Sequence, residues 1–296
     1  MAKGYVFYNP LSGNGKGAQN AEKLRTLVND PLEFFDMTRV TNYSAVIGGM
    51  EGEDYIVLAG GDGTLNRFIN DTAGLDISQE ILYYPTGTGN DFAYELGIKA
   101  EDRPVSITRY LKNLPSVQVK GKTYRFLNGV GYGIDGYCCE VGDKLRAIPG
   151  KKVNYASIAI KGLLFHFDAR NAKVTVDDQQ YTFKKVWIAP TMHGKCYGGG
   201  MIAAPEQDRL SEEGKLSLML FHGAGRIRTL CAFPSIFKGE HVKKTKMVKV
   251  LTGHRITVEF DRPTPLQIDG ETILDVTSYT AVSAHCSAAT KMPARV

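Results

Sequence analysis

No C-x-x-C pair occurs in this chain, and its five cysteines, Cys138, Cys139, Cys196, Cys231 and Cys286, are odd in number. That excludes a disulfide framework and a thioredoxin-like redox pair, and points to reduced thiols in a cytoplasmic protein. Cys138 and Cys139 fall near the start of an expected helix and read as packing groups. The six histidines are scattered without ligand spacing, so a zinc site is not expected. Long hydrophobic runs are also missing. The most apolar stretch, Tyr155 to Phe167, is broken by Lys161 and His166 and is too short to span a bilayer. A core helix is its first reading, and a membrane-facing lid the sharper alternative. The N-terminus, MAKGYVFYNP, runs almost directly into an apolar segment, with no basic leader, apolar core and cleavage site. Charge of one sign is scarce too: Lys plus Arg exceeds Asp plus Glu by 36 − 31 = 5. That suits an anionic ligand or surface. Without a basic stripe interleaved with aromatics, no nucleic acid partner is expected.

What is present is alternation. The 296 residues are enough for two domains, each with its own core. Gly4–Tyr8, Leu32–Met37, Tyr55–Ala59 and Ile81–Tyr84 read as strands. Between and after them, Ala18, Ala21, Leu24 and Leu27 repeat at helical spacing, Ser44–Met50 is weakly helical, and Leu65–Thr72 and Asn90–Leu96 are helical. Strand and helix in turn imply an α/β domain, doubly wound on a mostly parallel sheet. In such sheets ligands bind beyond the carboxyl ends of the strands.

Three glycine-rich segments fall at those ends: Asn9-Pro-Leu-Ser-Gly-Asn-Gly15, Gly60-Gly-Asp-Gly-Thr64 and Pro85-Thr-Gly-Thr-Gly-Asn-Asp91. A plain strand-to-helix turn needs one glycine or one capping residue. Glycines let backbone N–H groups approach phosphate oxygens, and the following helix adds its positive N-terminal end. Gly13-Asn-Gly15-Lys16-Gly17-Ala18 can be read as a G-x-G-x-x-A dinucleotide fingerprint, with Asp36 as ribose ligand, but that leaves the other two clusters unexplained. A P-loop fails because Gly17, not Ser or Thr, follows Lys16. Turn capping alone is the plain alternative.

After about Pro115 the rhythm changes to short runs rich in Val, Tyr, Phe and Thr: Val117–Lys120, Tyr124–Leu127, Lys173–Val176, Tyr181–Phe183, Val186–Ala189, Leu216–Phe221, Met247–Leu251, Ile256–Phe260 and Leu266–Ile268. Helical stretches are expected near Glu140–Ile148 and Tyr155–Phe167. This half reads as a largely antiparallel β domain. The expected division is 1–117 for the α/β domain, 118–285 for the β domain, and a tail, 286–296, returning to the first domain.

The motifs N-P-x-S-G-x-G (Asn9 to Gly15), G-G-D-G-T-x-N (Gly60 to Asn66) and P-x-G-T-x-N-D-F-A (Pro85 to Ala93) together resemble the diacylglycerol kinase catalytic-domain family, and its soluble bacterial lipid kinases in particular. Gln267-Ile-Asp-Gly-Glu271 is similar to that family's late D-G-E. The resemblance implies a nucleotide-binding α/β domain followed by a β-sandwich-like second domain. It implies ATP and Mg²⁺, and transfer of the γ-phosphate to a hydroxyl of diacylglycerol or a related membrane lipid.

Position by position, the resemblance puts Asn9, Ser12, Gly13 and Lys16 against the nucleotide from the first loop. Gly60, Gly61, Gly63 and Thr64 would approach the phosphates, with Asn66 closing that motif and Asp62 near the transferring end and its magnesium. Thr38, Thr88 and Asn90 fall where the family contacts ATP. Glu271 matches its general base, and Asp135 a segment tied to the catalytic carboxylates. A structural Mg²⁺ would take Glu213 and the carbonyls of Leu210 and Lys215, although glutamates stand where the family usually has aspartates, and Mg²⁺ demands tight octahedral geometry. For Glu271 the plain reading is a solvated residue after an Asp-Gly hairpin turn.

The expected partners are a diacylglycerol-like lipid and a membrane surface, met peripherally at the inner face; a homodimer is one option for assembly. The cluster Lys243, Lys244, Lys246 and Lys249 reads as a charged strand face or as a contact for anionic headgroups. Two rival functions stand beside the kinase: a dinucleotide-binding oxidoreductase using the first loop, and a nucleotide-binding regulatory module without turnover.

Overall fold

A computed structural model describes residues 2–87, 89–99, 103–148 and 153–286. The chain divides into two compact units, Met1–Lys112 with Cys196–Gly200, and Asn113–Lys195 with Met201–Val296. The tail expected to return to the first domain lies, from residue 287 on, outside the described residues. A later segment, Cys196–Gly200, joins the first unit.

In the first unit, strands β1 (Gly4–Tyr8), β2 (Leu32–Asp36), β3 (Tyr55–Gly60), β4 (Glu80–Pro85) and β5 (Val105–Ser106) form a sheet in the order β2-β1-β3-β4-β5. The first four are parallel, and β5 joins β4 antiparallel. Val6 and Phe7 of β1 and Ile56 to Ala59 of β3 are fully buried, as continuous apolar runs are when both faces of a sheet are covered. The covering segments are α1 (Ser12–Gly15), α2 (Gly17–Glu22), α3 (Leu24–Leu27), α4 (Tyr43–Gly48), α5 (Asp62–Asp71), α6 (Asp91–Leu96) and α7 (Thr108–Leu111). The first is a kinked turn, because Gly13 and Asn14 take left-handed φ values of 58° and 60°. Ala21 and Leu24 pack on one side against Val6, Val57 and Ala59. Phe68 of α5 meets Phe7 and Tyr43 on the other.

The second unit is built on one large sheet. The unit's strands are β6 (Ser116–Val119), β7 (Lys122–Arg125), β8 (Gly129–Tyr132), β9 (Arg170–Val176), β10 (Gln179–Val186) and β11 (Thr191–Met192), and then, after β12 (Cys196–Tyr197) of the first unit, β13 (Met201–Ile202), β14 (Leu216–Phe221), β15 (Val248–Gly253), β16 (Arg255–Ile268) and β17 (Glu271–Val282); all but β13 belong to the large sheet. Its path runs β15-β14-β11-β8-β16-β17-β6-β7, with β9 and β10 added along β16. These pairs are antiparallel, and the sheet wraps a core that includes Val130, Tyr132, Val174, Leu218, Val258 and Leu266. Helices α8 (Ile134–Arg146), α9 (Tyr155–Lys161) with a π-helical turn at Gly162–His166, and α10 (Arg226–Ala232) complete the unit. Among the described residues no helix is long and apolar enough to cross a membrane.

Several elements differ from the sequence reading, three of them in the large sheet's centre or edge pairing. Ile256–Phe260 and Leu266–Ile268 are parts of one strand, β16, whose register with β17 shifts between Glu259 and Leu266 to accommodate Pro263 and Pro265. Strand β8 went unanticipated because two of its four residues are glycine, a poor strand former. Yet Gly131 is required there: a Cβ would lie 2.5 Å from Gln267 Nε2 and 2.9 Å from Asp135 Cβ. Strand β17 was also missed, since its many threonines and acids face outward and blur the alternation.

His193, just after β11, donates its N–H to the carbonyl of Asn128 (2.9 Å) and is buried. Burial, then the neighbouring Arg209 and His285, hold its imidazole pKa down to about 3. The folded protein therefore keeps His193 neutral where the unfolded chain takes up a proton. This contribution to stability is whole above the ordinary value of about 6.5 and is lost as pH falls from there toward 3. Denaturant melts between pH 7 and 5 should show His193→Gln with a shallower loss than the parent, by up to about 1.4 kcal/mol per pH unit. Equal slopes would show that His193 is not the group responsible.

Candidate active site

The three glycine loops follow β1, β3 and β4, which are adjacent and parallel, so all three emerge at one edge of the first unit's sheet. The chain leaves β1 toward β2 on one side and β3 toward β4 on the other. That reversal opens a crevice at the carboxyl ends of β1 and β3, where open α/β sheets hold ligands.

Direct contacts join the loops. Thr86 and Gly87 donate their N–H groups to the carbonyl of Gly60 (2.8 and 3.2 Å), and Asp62 donates its own to Gly89 (3.4 Å). A Cβ on Gly61 would stand 3.1 Å from Gly87 Cα, and one on Gly87 only 2.5 Å from Gly61 Cα. A Cβ on Gly13 would lie 2.7 Å from the Thr86 carbonyl oxygen. Packing gives Gly60 and Gly61 a further reason to be bare, beside the expected approach of phosphates. A Cβ on Gly60 would strike Thr64 Oγ1 at 2.1 Å, so these glycines are bare because the loops pack on one another and on α5. Gly89 differs: nothing lies within 4 Å of the position its Cβ would take.

Asp62 also ties the loops together. It opens α5 after the extended Gly61, and it is buried. Its Oδ2 accepts the N–H of Asp91 (2.7 Å) and its Oδ1 that of Phe92 (3.1 Å). The carboxylate thus caps α6, the helix after the third loop, and pins loop to loop. Asp91, also buried, repeats the device: its carboxylate accepts the N–H groups of Gly199 (2.8 Å) and Gly200 (2.6 Å), which holds the Cys196–Gly200 segment to the first unit. Asp91 was not among the residues the sequence singled out. The signal was there, since an acid directly after a glycine-rich loop is where a helix N-terminus wants negative charge.

The other predicted residues divide between shaping and facing. Asn9 Oδ1 accepts the Leu11 N–H (3.0 Å), and Ser12 donates its hydroxyl to the Asn9 carbonyl (2.8 Å), so both mould the first loop. Lys16 is exposed beside it. Thr38 donates both its N–H and its hydroxyl to Asp36 Oδ1 (2.8 and 2.7 Å), which also occupies the ribose ligand of the dinucleotide reading. Gly63 and Thr64 lie in the first turn of α5, with Thr64 buried and its N–H bonded to the Gly61 carbonyl (2.9 Å). Asn66 is buried one turn on, bridged by Asn70. Asn90 holds its own loop through Gly87 (2.9 Å) and meets the Tyr83 hydroxyl at 3.5 Å. Burial, reinforced by Asp62, keeps that phenol protonated well beyond its ordinary range. Thr88 lies outside the described residues.

In the second unit the D-G-E segment closes the β16–β17 hairpin. Asp269 and Gly270 take φ values of 47° and 96°, the pattern of a two-residue turn, and Ile268 pairs with Glu271. Asp269 is not a passive turn residue. Its buried carboxylate accepts the N–H groups of Leu127 (2.5 Å), Asn128 (2.8 Å) and Gly129 (2.9 Å), fixing the start of β8. Glu271 is exposed at the head of β17, while Asp135 is buried in the first turn of α8. Cys139 of α8 lies close enough to feel both: burial first, then Asp135 and more weakly Asp143 and Glu271, push its thiol up to about 12. With Cys138 raised still further by burial, neither thiol is a nucleophile.

The magnesium site expected at Leu210, Glu213 and Lys215 is not formed. Glu213 pairs with the Lys215 ammonium (2.7 Å), and the Lys215 carbonyl accepts the Gln207 amide (2.9 Å). A dication at those donors would sit beside a lysine charge and displace both contacts, so the arrangement does not fit Mg²⁺.

Two family descriptions match these units: the diacylglycerol kinase catalytic domain over residues 3–119, and the YegS C-terminal NAD kinase beta sandwich-like domain over residues 128–286. The second description spans more than half of the chain, so the chain belongs to that family, and its first unit matches the diacylglycerol kinase catalytic domain. The diacylglycerol kinase of Bacillus subtilis (strain 168) is 25% identical to this family member over 92% of the chain and 90% of that protein. YtlR of the same organism is 29% identical, but that match spans 51% of this chain and 53% of YtlR, about half of each. A crystal structure of a diacylglycerol kinase from Bacillus anthracis str. Sterne superposes with a TM-score of 0.59 at 19% identity, over 96% of this chain and 94% of that one. At that identity the likeness concerns the fold alone, an α/β unit followed by a β-sandwich-like one.

Two substitutions test this site. Asp62→Asn offers one oxygen and turns an NH₂ toward the second amide; one unmet buried N–H costs about 1–3 kcal/mol. Calorimetry should show melting lowered by about 4 °C per kcal/mol, where the ranges for smaller and larger domains meet, and an unchanged melt would mean the tie is dispensable. Glu213→Ala removes only an exposed ion pair, worth about 0–1 kcal/mol. Its melting temperature, with or without Mg²⁺, should stay with the parent's; a Mg²⁺-dependent loss would restore the metal site.

Proposed function

We propose that this chain is an ATP-dependent lipid kinase, transferring the γ-phosphate of ATP to a hydroxyl of diacylglycerol or a related lipid at the inner face of a membrane. The observation that carries the reading is the interlocked cluster of three glycine loops at the carboxyl ends of β1, β3 and β4. A pyrophosphate on one loop uses a third of such a cluster; a triphosphate uses all of it. Family membership supports the kinase class.

Phosphoryl transfer asks for positioning and charge neutralisation more than for covalent help. In this reading the loop amides and the exposed Lys16 bind the phosphates, and Asp62 and Asp91 keep the loops in place as positioning residues. When bound as MgATP, Mg²⁺ would supply charge neutralisation at the phosphates; no residue here is assigned to hold it. Glu271 takes the proton of the lipid hydroxyl, whose oxygen bonds to the γ-phosphorus as the bond to the bridging oxygen breaks and ADP leaves. Asp135 stands as the second candidate for the proton.

Gly89→Ala separates phosphate approach from loop packing, since a methyl there meets open space. By titration calorimetry it should weaken MgATP binding by about tenfold, some 1.4 kcal/mol, with an unchanged melting temperature. Tight NADH binding by the parent with no response to ATP would overturn the nucleotide assignment. Glu271→Gln should bind ATP as the parent does and phosphorylate lipid in mixed micelles about 10²-fold more slowly. Normal turnover would move the base to Asp135.

A further inference from the structure

The second unit carries an apolar and basic surface that its fold does not use. Phe165 in the π turn and Ile227 at the start of α10 are its most exposed large hydrophobic residues among those described, at 71% and 75%. They stand on two segments held together by one side chain. Arg226 donates to the carbonyls of Leu163 (3.0 Å) and Phe167 (2.7 Å), pairs with Asp168, and lies over the Trp187 ring. Phe165 lies between the two carbonyls so clamped, and Ile227 directly follows the clamp. A rigid clamp beneath two bare apolar tips is an unusual use of arginine if the tips face only water.

One face of α10, Ile227, Arg228 and Cys231, is exposed, and Arg228 and Cys231 line a concavity of about 470 Å³ together with Lys243, Lys244 and Lys246. Four basic side chains therefore surround it. The acids near them are largely committed: Glu240 approaches Lys243 at 4.0 Å and Asp168 pairs with Arg226. The Lys243, Lys244 and Lys246 part of the sequence cluster thus lines a pocket, and only Lys249 remains on a strand, as one of the exposed residues of β15.

We propose that this surface docks the protein on an anionic bilayer, with Phe165 and Ile227 entering the interface and the Arg228–Lys243–Lys244–Lys246 pocket taking a lipid phosphate. The inference rests on the lipid-kinase reading for its purpose, and on the charge and exposure of these residues for its place. Two bare apolar tips, one of them on the helix that also lends Arg228 to a basic pocket, suit a surface that is negative at the headgroups and apolar below. Two signals are needed because either alone gives only weak, reversible attachment.

The test is sedimentation of the full chain with vesicles of phosphatidylcholine alone or with one-third phosphatidylglycerol. The parent should bind only the anionic vesicles and be released by 0.5 M salt, roughly a concentration that shortens the screening length to a few ångströms. Lys244→Gln with Lys246→Gln should weaken binding about 25-fold, from about a fivefold loss per charge. Phe165→Ser with Ile227→Ser should weaken it at least about tenfold, as expected for losing the interfacial burial of two large apolar side chains. Circular dichroism melts check that each variant folds. Phosphorylation of a short-chain, water-soluble diacylglycerol by the variants should match the parent. Parent-like vesicle binding by both folded variants would overturn the inference, as would equal binding to neutral vesicles. If no variant and no parent phosphorylates any lipid, yet anionic binding is lost as predicted, the docking surface stands and the kinase reading falls.

Discussion

The first unit depends on one buried carboxylate. Asp62 gives both oxygens to the amides of Asp91 and Phe92 that begin α6, and both of those residues are buried. Each hydrogen bond from an amide to a carboxylate is stronger than a neutral one, and each buried amide left unmet is costly. The bond pair therefore fixes where the third loop leaves the second. Asp91 extends the same logic one step further, from the head of α6 to Gly199 and Gly200. Two acids in series thus hold segments that are far apart in sequence.

This changes the meaning of the glycines. Gly61 and Gly87 are bare because their backbones touch, and Gly60 because Thr64 occupies the space above it. A close-packed loop cluster is a more precise phosphate cradle than a set of flexible loops, because its amides are oriented before any ligand arrives. In the reading proposed above, the warrant for phosphate binding is therefore the preorganisation of these amides.

Asp269 plays the corresponding part in the second unit. Three consecutive amides, from Leu127 to Gly129, converge on its carboxylate, and the hairpin turn that makes this possible also puts Glu271 at the exposed head of β17. The D-G-E segment therefore combines an acid that builds with an acid that faces outward. In the sequence these two looked like turn and base. Their division of labour follows from backbone geometry: the left-handed Asp269 turns inward over β8, and pairing with Ile268 starts the next strand at Glu271.

Local rules were enough for the parts whose cause is local. Continuous apolar runs at Val6–Phe7 and Ile56–Ala59, helical spacing at Ala21 and Leu24, and the Asp269-Gly270 turn all carry their structure in a few adjacent residues, and so the α/β alternation, the antiparallel second half and the place of the three loops were legible. The motif order added the family. What the sequence left undetermined has a cause distant along the chain. Asp62 reaches amides 29 and 30 residues on, Asp91 reaches glycines more than a hundred residues on, and Asp269 reaches back over 140. Glu213 was assigned to a metal by pattern and belongs to Lys215 by contact. A carboxylate looks the same in sequence whether it meets a metal, a proton or three amides; only the packing around it settles which, because burial forces it to take every donor within reach.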